Sequence, residues 1–144
     1  MLRVVLDTNV ILDCWVFDDP GARSLKAALE ARLAVAVRSA QTDAELEDVL
    51  ARSRFGLEEA AQRAIIDPWR LHAICVEVDT EAPIRCADPD DQKFLDLALA
   101  AGAHALFTKD KALLATATRA RRHGLIVAPP QSAGSVLLLE DDVA

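Results

Sequence analysis

Four carboxylates stand where a chain can bring acids together from distant segments. Asp7 follows the short apolar run 3–6, and Glu45 lies in a segment of helical spacing after Ser39. Asp91 opens another periodic segment, and Asp110 follows the run 105–107 with two residues between. Thr8 and Asn9 adjoin the first acid; Thr108, Lys109 and Lys111 surround the last. Acids gathered in this way repel one another unless cations neutralise them. Carboxylates and water are the ligands that suit Mg2+ or Mn2+. Two such ions ~4 Å apart polarise a phosphodiester, generate hydroxide and stabilise the leaving oxygen. In that chemistry Thr8, Asn9 and Thr108 orient the acids and their waters, and Lys109 and Lys111 meet backbone phosphates.

Each acid also has a plainer reading. Asp7 and Asp91 fit helix N-caps, Asp110 an ordinary turn, and Glu45, with Glu47 nearby, an acid that favours a helix macrodipole. Arg119, Arg121 and Arg122 read as a solvated helix end, and Glu140, Asp141 and Asp142 as a solubilising tail. A cap would betray itself by accepting a backbone N–H, and a shared site by proximity.

The elements that must position these residues alternate. Strands are expected at 3–6, 33–37, 74–78, 105–107 and 125–127. Helices are expected at 10–17, 22–32, 40–52, 57–73, 91–101 and 111–122, with Pro68 bending or ending the fourth. Ser39 is placed to cap the third, and Gly102 to close the fifth at its C′ position. Leu57, Ala61, Ala64 and Ile65 form an apolar stripe read as core, or else as a partner contact. The alternation predicts an α/β sandwich with a mainly parallel sheet. In such sheets ligands bind off the carboxyl ends of the strands, at a topological switch point; Asp7 and Asp110 stand at strand ends.

The 144 residues suit one domain, and 52% are apolar while only 4% are aromatic. The core is therefore built from Ala, Leu, Val and Ile. No run approaches the ~20 apolar residues of a membrane span, and the amino-terminal apolar run is too short for a signal peptide, so the expected location is the cytoplasm. Cys14, Cys75 and Cys86 lack metal-ligand spacing and read as reduced, mostly buried thiols. The net charge of −7 is unusual for a protein that grips phosphates. It reflects either a solvated acidic surface or acids converging on a cation site.

Taken in order, Asp7-Thr8-Asn9-Val10, Ala44-Glu45-Leu46, Asp88-Pro89-Asp90-Asp91 and Thr108-Lys109-Asp110 resemble the motifs of the PIN-domain family, and more narrowly its toxin components of bacterial toxin–antitoxin modules. The resemblance spans residues 1–130 and leaves 131–144 as a C-terminal tail. It implies a three-layer α/β/α fold, Mg2+ or Mn2+ dependence, endoribonuclease action on single-stranded RNA, a homodimer and a small antitoxin partner. Carried over, the catalytic and metal-binding acids are Asp7, Glu45, Asp91 and Asp110, with Asp88 or Asp90 as alternatives in the third motif. Asn9 and Thr108 are supporting residues. Many relatives carry further acids where this chain has Gln92 and Ala112, which favours one tightly held metal. Two other readings remain: an RNA- or protein-binding module with a decayed site, and a haloacid-dehalogenase-like phosphatase. The latter wants a second Asp where this chain has Asn9.

Overall fold

The computed structural model describes residues 1–52 and 55–138. The acidic tail Glu140, Asp141 and Asp142 lies outside the described residues. Five strands, β1 (Leu2–Leu6), β2 (Ala34–Arg38), β3 (Ala73–Cys75), β4 (Ala105–Phe107) and β5 (Ile126–Ala128), form one parallel sheet of order β3-β2-β1-β4-β5. Its central strands are covered on both faces, so they carry apolar residues throughout rather than alternating with polar ones. Along β1, Val4 and Leu6 enter one core and Val5 the other.

The first core takes helices α1 (Thr8–Trp15), α2 (Arg23–Glu30), α3 (Ala40–Ala51), α4 (Glu59–Arg70) and α8 (Ala133–Val136). Leu25, Leu29, Leu46, Leu50 and Trp69 are fully buried there. The second core takes α5 (Gln92–Ala100), α6 (Lys111–Leu114) and α7 (Ala117–Arg121), with Phe94, Leu95, Leu97 and Leu113 against the opposite sheet face. The result is the expected three-layer α/β/α sandwich. Pro130, Ala133 and Leu137 are buried, and the His104 ring bonds the Val136 carbonyl at 3.0 Å, so residues 130–137 pack as part of the first layer.

Ser39 caps α3 through a reciprocal box with Thr42, and Gly102 follows α5 at φ 64°, the left-handed closure that glycine tolerates. Other expectations are revised. The helix expected over 111–122 is two short ones, because Thr116 is fully buried and its hydroxyl donates to the Leu113 carbonyl at 2.6 Å, which competes with the helical ladder. α4 continues two residues beyond Pro68. Its buried face is Ile66 and Trp69; Ala61 and Ala64 are exposed, since the ring of Trp15 meets Trp69 edge-on at 5.4 Å and fixes the helix's rotation. Cys14 and Cys86 are buried as read, with burial pushing the Cys14 thiol up to about 12, but Cys75 is exposed at the end of the edge strand. No described helix is long and apolar enough to cross a membrane.

Candidate active site

The strand order reverses between β1 and β4, whose chain neighbours lie on opposite sides, so the switch point falls between these two strands. Their register pairs Leu6 with Phe107. Both strands therefore stop side by side, and the next residues, Asp7 and Thr108, meet. The Asp7 amide donates to the Phe107 carbonyl at 3.0 Å, and the Thr108 hydroxyl donates to Asp7 Oδ2 at 2.7 Å. That hydroxyl also accepts the Asp110 amide at 3.0 Å, so one buried threonine aligns two acids.

A pocket of about 420 Å³ opens here, lined by Asp7, Thr8, Asn9, Glu45, Asp88, Asp90, Asp91 and Asp110, and also by Leu12, Phe17, Val49, Arg52 and Phe55. Among the described residues, six carboxylates and one basic residue, Arg52, line this cavity, which assigns part of the −7 net charge to a site. Asp7 is only 5% exposed. Burial raises its pKa above the ordinary carboxylate value; the Thr108 bond opposes that, and the charges of Glu45 and Asp110 add to it. Asp91 is pushed up to about 7 by desolvation, by the Asp110 charge and by a hydrogen bond with Asp110 that requires the proton. Asp7 and Asp88 raise it further.

The capping alternatives separate on geometry. Asp7 and Asp91 occupy N-cap positions of α1 and α5 yet make no side-chain cap bond. Asp110 does cap α6, accepting the Leu113 amide at 3.1 Å, and Asp88 accepts the Asp90 amide at 3.0 Å. Glu45 reaches across from α3 instead of lying along its own helix. Thr8 donates to its Oε2 at 2.5 Å, and the Lys93 ammonium lies 2.6 Å from its Oε1 and from the Asp90 carbonyl.

Lys93 is a functional candidate that sequence reasoning missed, together with Arg52, Phe17 and Phe55. Its only signal was a lone cation two residues after Asp91. Conversely, Lys109 and Lys111 do not line the pocket. The Lys109 ammonium turns to buried Asp13, 2.6 Å from its Oδ2 in an ion pair without aligned hydrogen-bond geometry. Asn9 lines the pocket and is exposed. The two positions without the extra acids serve packing. Gln92 accepts the Cys86 amide at 2.7 Å and donates to the Ile84 carbonyl at 2.9 Å, stapling the loop before α5, while Ala112 packs on the second core.

Among the described residues, no group of three or more His, Cys, Asp or Glu side chains is already drawn together to hold a metal ion. Beyond the Asp91–Asp110 contact, the carboxylates ring the pocket rather than close on one centre.

A family model described as PIN domain matches residues 3–112. No curated protein matches the chain. Among solved structures, it is similar to a chain of the crystal structure of VapBC2 from Rickettsia felis bound to a DNA fragment from their promoter, at 15% identity and a TM-score of 0.61, covering 88% of this chain and 97% of that one. With the family match extending from β1 into α6, the chain belongs to the PIN-domain family, whose members are generally nucleases.

Proposed function

We propose that the chain is a divalent-metal-dependent endoribonuclease that hydrolyses phosphodiester bonds of single-stranded RNA. The observation that carries this reading is the meeting of Asp7, Glu45, Asp91 and Asp110, from four separate elements, around one pocket at the switch point. The donor set fits a hard divalent cation: every candidate ligand is a carboxylate oxygen, and the pKa values of Asp7 and Asp91 are raised by burial and then by the repulsion of neighbouring acids, which a cation would offset. Asp7, Asp91 and Asp110 would hold Mg2+ or Mn2+, with Asp88 and Asp90 alongside. When bound, the cation supplies Lewis-acid activation of a phosphodiester and of the attacking water.

The chain's own residues do the rest. Thr108 holds Asp7 and Asp110 in one orientation. Both Glu45 oxygens are engaged by Thr8 and Lys93, so Glu45 ties α3 to α1 and α5 and is best suited to orient water. Lys93 supplies fixed positive charge beside the acids, in the role first expected of Lys109 and Lys111. The motif resemblance supports a toxin paired with a small antitoxin, acting in the cytoplasm as a homodimer, and the likeness to a VapBC2 chain supports the fold that this reading needs.

Incubation of the purified chain with a single-stranded RNA panel in Mn2+, in Mg2+ and in chelator tests this. Cleavage that chelator abolishes is expected. Absence of cleavage together with no metal-induced rise in melting temperature would leave a binding module instead. Thr108→Val should lower turnover roughly 10–100-fold, the usual worth of a partner that orients a metal ligand, while Thr108→Ser retains most activity. Equal rates for the two variants would deny the hydroxyl its orienting role.

The raised carboxyls also set a pH dependence. In metal-free protein the folded state keeps protons that the unfolded chain releases above about pH 4. The stabilisation from these groups is therefore full below pH 4 and declines as pH rises to about 7. Thermal melts in chelator should show a lower midpoint at pH 8 than at pH 5, with Mn2+ recovering much of the loss. A metal-free midpoint that rises across this interval would contradict the assignment.

A further inference from the structure

The chain has only four phenylalanines and two tryptophans. Trp69, Phe94 and Phe107 are fully buried, and Trp15 packs against Trp69 and His72. Phe17 and Phe55 differ: both line the acidic pocket, their ring centroids 6.2 Å apart and their planes tilted by 41°. Phe17 is 54% exposed even though the chain fixes its position. Its amide bonds the Leu12 carbonyl at the end of α1, and Asp18 then turns the chain at φ 48°. Leu12 and Val49 add aliphatic lining to the same pocket, as does Arg52, which is paired at 3.0 Å with Asp48.

We propose that Phe17 and Phe55 form a base-stacking shelf that seats an unpaired nucleobase of the nucleic-acid strand cut at the carboxylates, with Arg52 meeting that strand's phosphate. This inference rests on the nuclease reading. Three features of the pocket select the ligand. Its carboxylates suit a cation-bound phosphate; its aromatic and aliphatic residues suit a flat apolar ring; and among the described residues Arg52 adds a basic group to the same lining. A nucleotide strand presents these chemistries together. A base can reach the shelf only when it is out of a duplex stack, so the shelf selects single strands over duplexes. Asp7 precedes α1 and Phe17 follows its C-terminal end, so the two stand at opposite ends of that eight-residue helix, which is roughly 12 Å long at helical rise. The seated base therefore belongs to a nucleotide flanking the scissile phosphate, and the shelf sets where along the strand cleavage falls.

The test uses the full chain with Ca2+ in place of Mn2+, a short single-stranded RNA carrying 2-aminopurine, the same strand with abasic positions, and its duplex. Binding should quench 2-aminopurine, and the abasic strand and the duplex should bind at least about 10-fold more weakly, the scale of one base–aromatic stack. Phe17→Ala should weaken the base-bearing strand by a similar factor without further weakening the abasic strand, while Phe17→Trp retains binding. Phe55→Leu, which keeps an apolar residue, should also reduce quenching. Thermal melts confirm that each variant is folded.

Equal affinity for abasic and base-bearing strands, or a Kd indifferent to Phe17, overturns the shelf. So does a Phe17→Ala variant that loses a protein partner but not RNA. Cleavage in Mn2+ is measured in parallel. If the parent cleaves and its cut positions ignore Phe17, the shelf fails and the nuclease reading stands. If the parent never cleaves yet still quenches 2-aminopurine in a Phe17-dependent way, the nuclease reading fails and the chain is a single-strand binder with this shelf.

Discussion

Asp7→Asn is expected to abolish metal-dependent cleavage while raising the melting temperature of the metal-free protein. The substitution keeps the shape of the side chain and an oxygen for the Thr108 hydroxyl, so the β1–β4 junction survives. It removes a charge that is 5% exposed and faces Glu45 and Asp110. In the absence of metal that charge is a liability, because burial and repulsion both disfavour it. With metal it is the most central ligand on offer. Turnover should therefore fall by more than the roughly 10–100-fold that an orienting partner is worth. The metal-induced rise in melting temperature should shrink as well. Initial rates on single-stranded RNA and paired melts with and without Mn2+ provide the readout. A variant that loses stability yet keeps its activity would make Asp7 a structural acid and would remove the centre of the proposed site.

Trp69→Ala should be the most destabilising single truncation in the first core, at about 3–5 kcal/mol. Trp69 is 1% exposed and is the largest fully buried side chain. It connects α4 to α1 through the edge-on contact with Trp15. Its removal leaves a cavity against the Trp15 ring and the aliphatic residues of the first core, which relax into it only in part. At roughly 2–4 °C per kcal/mol for a protein of this size, the melting midpoint should drop by about 6–20 °C. Denaturant titration gives the free energy directly. A loss below about 1 kcal/mol would mean that α4 is only loosely docked and that α1 is held in place by the sheet alone.

The residues differ in how legible they were before the structure. Asp7 and Asp110 could be placed because each follows a short apolar strand, and a parallel sheet puts such ends on one edge. The spacing of the α5 stripe and the glycine behind it located Asp91 at a helix start. What sequence could not supply was direction. Lys109 follows Thr108 immediately, yet successive residues after a strand point to opposite sides, and Asp13 draws Lys109 away. Lys93, the second residue of α5, points to Glu45 from 48 positions away, a pairing with no local signature. The split of 111–122 was hidden because a buried threonine's back-bond breaks a helix only when packing forces its hydroxyl inward. The Phe17–Phe55 pair was likewise invisible, since two aromatics in separate loops show no periodicity.

The bond between Thr108 and Asp7 spans 101 positions, and the strands that carry them are adjacent in the sheet although two other strands intervene in the chain. No shorter stretch of polypeptide contains both halves of the pocket. While the ribosome is still elongating the chain, β1 has only β2 to pair with, and Asp7 faces an edge without its partner strand. The carboxylates can gather only after residues beyond Asp110 have emerged and β4 has slotted beside β1, a long-range pairing of the kind that closes late. A nascent fragment that ends before β4 therefore lacks the Thr108 half of the Asp7 junction, and the proposed site is complete only once that strand is inserted.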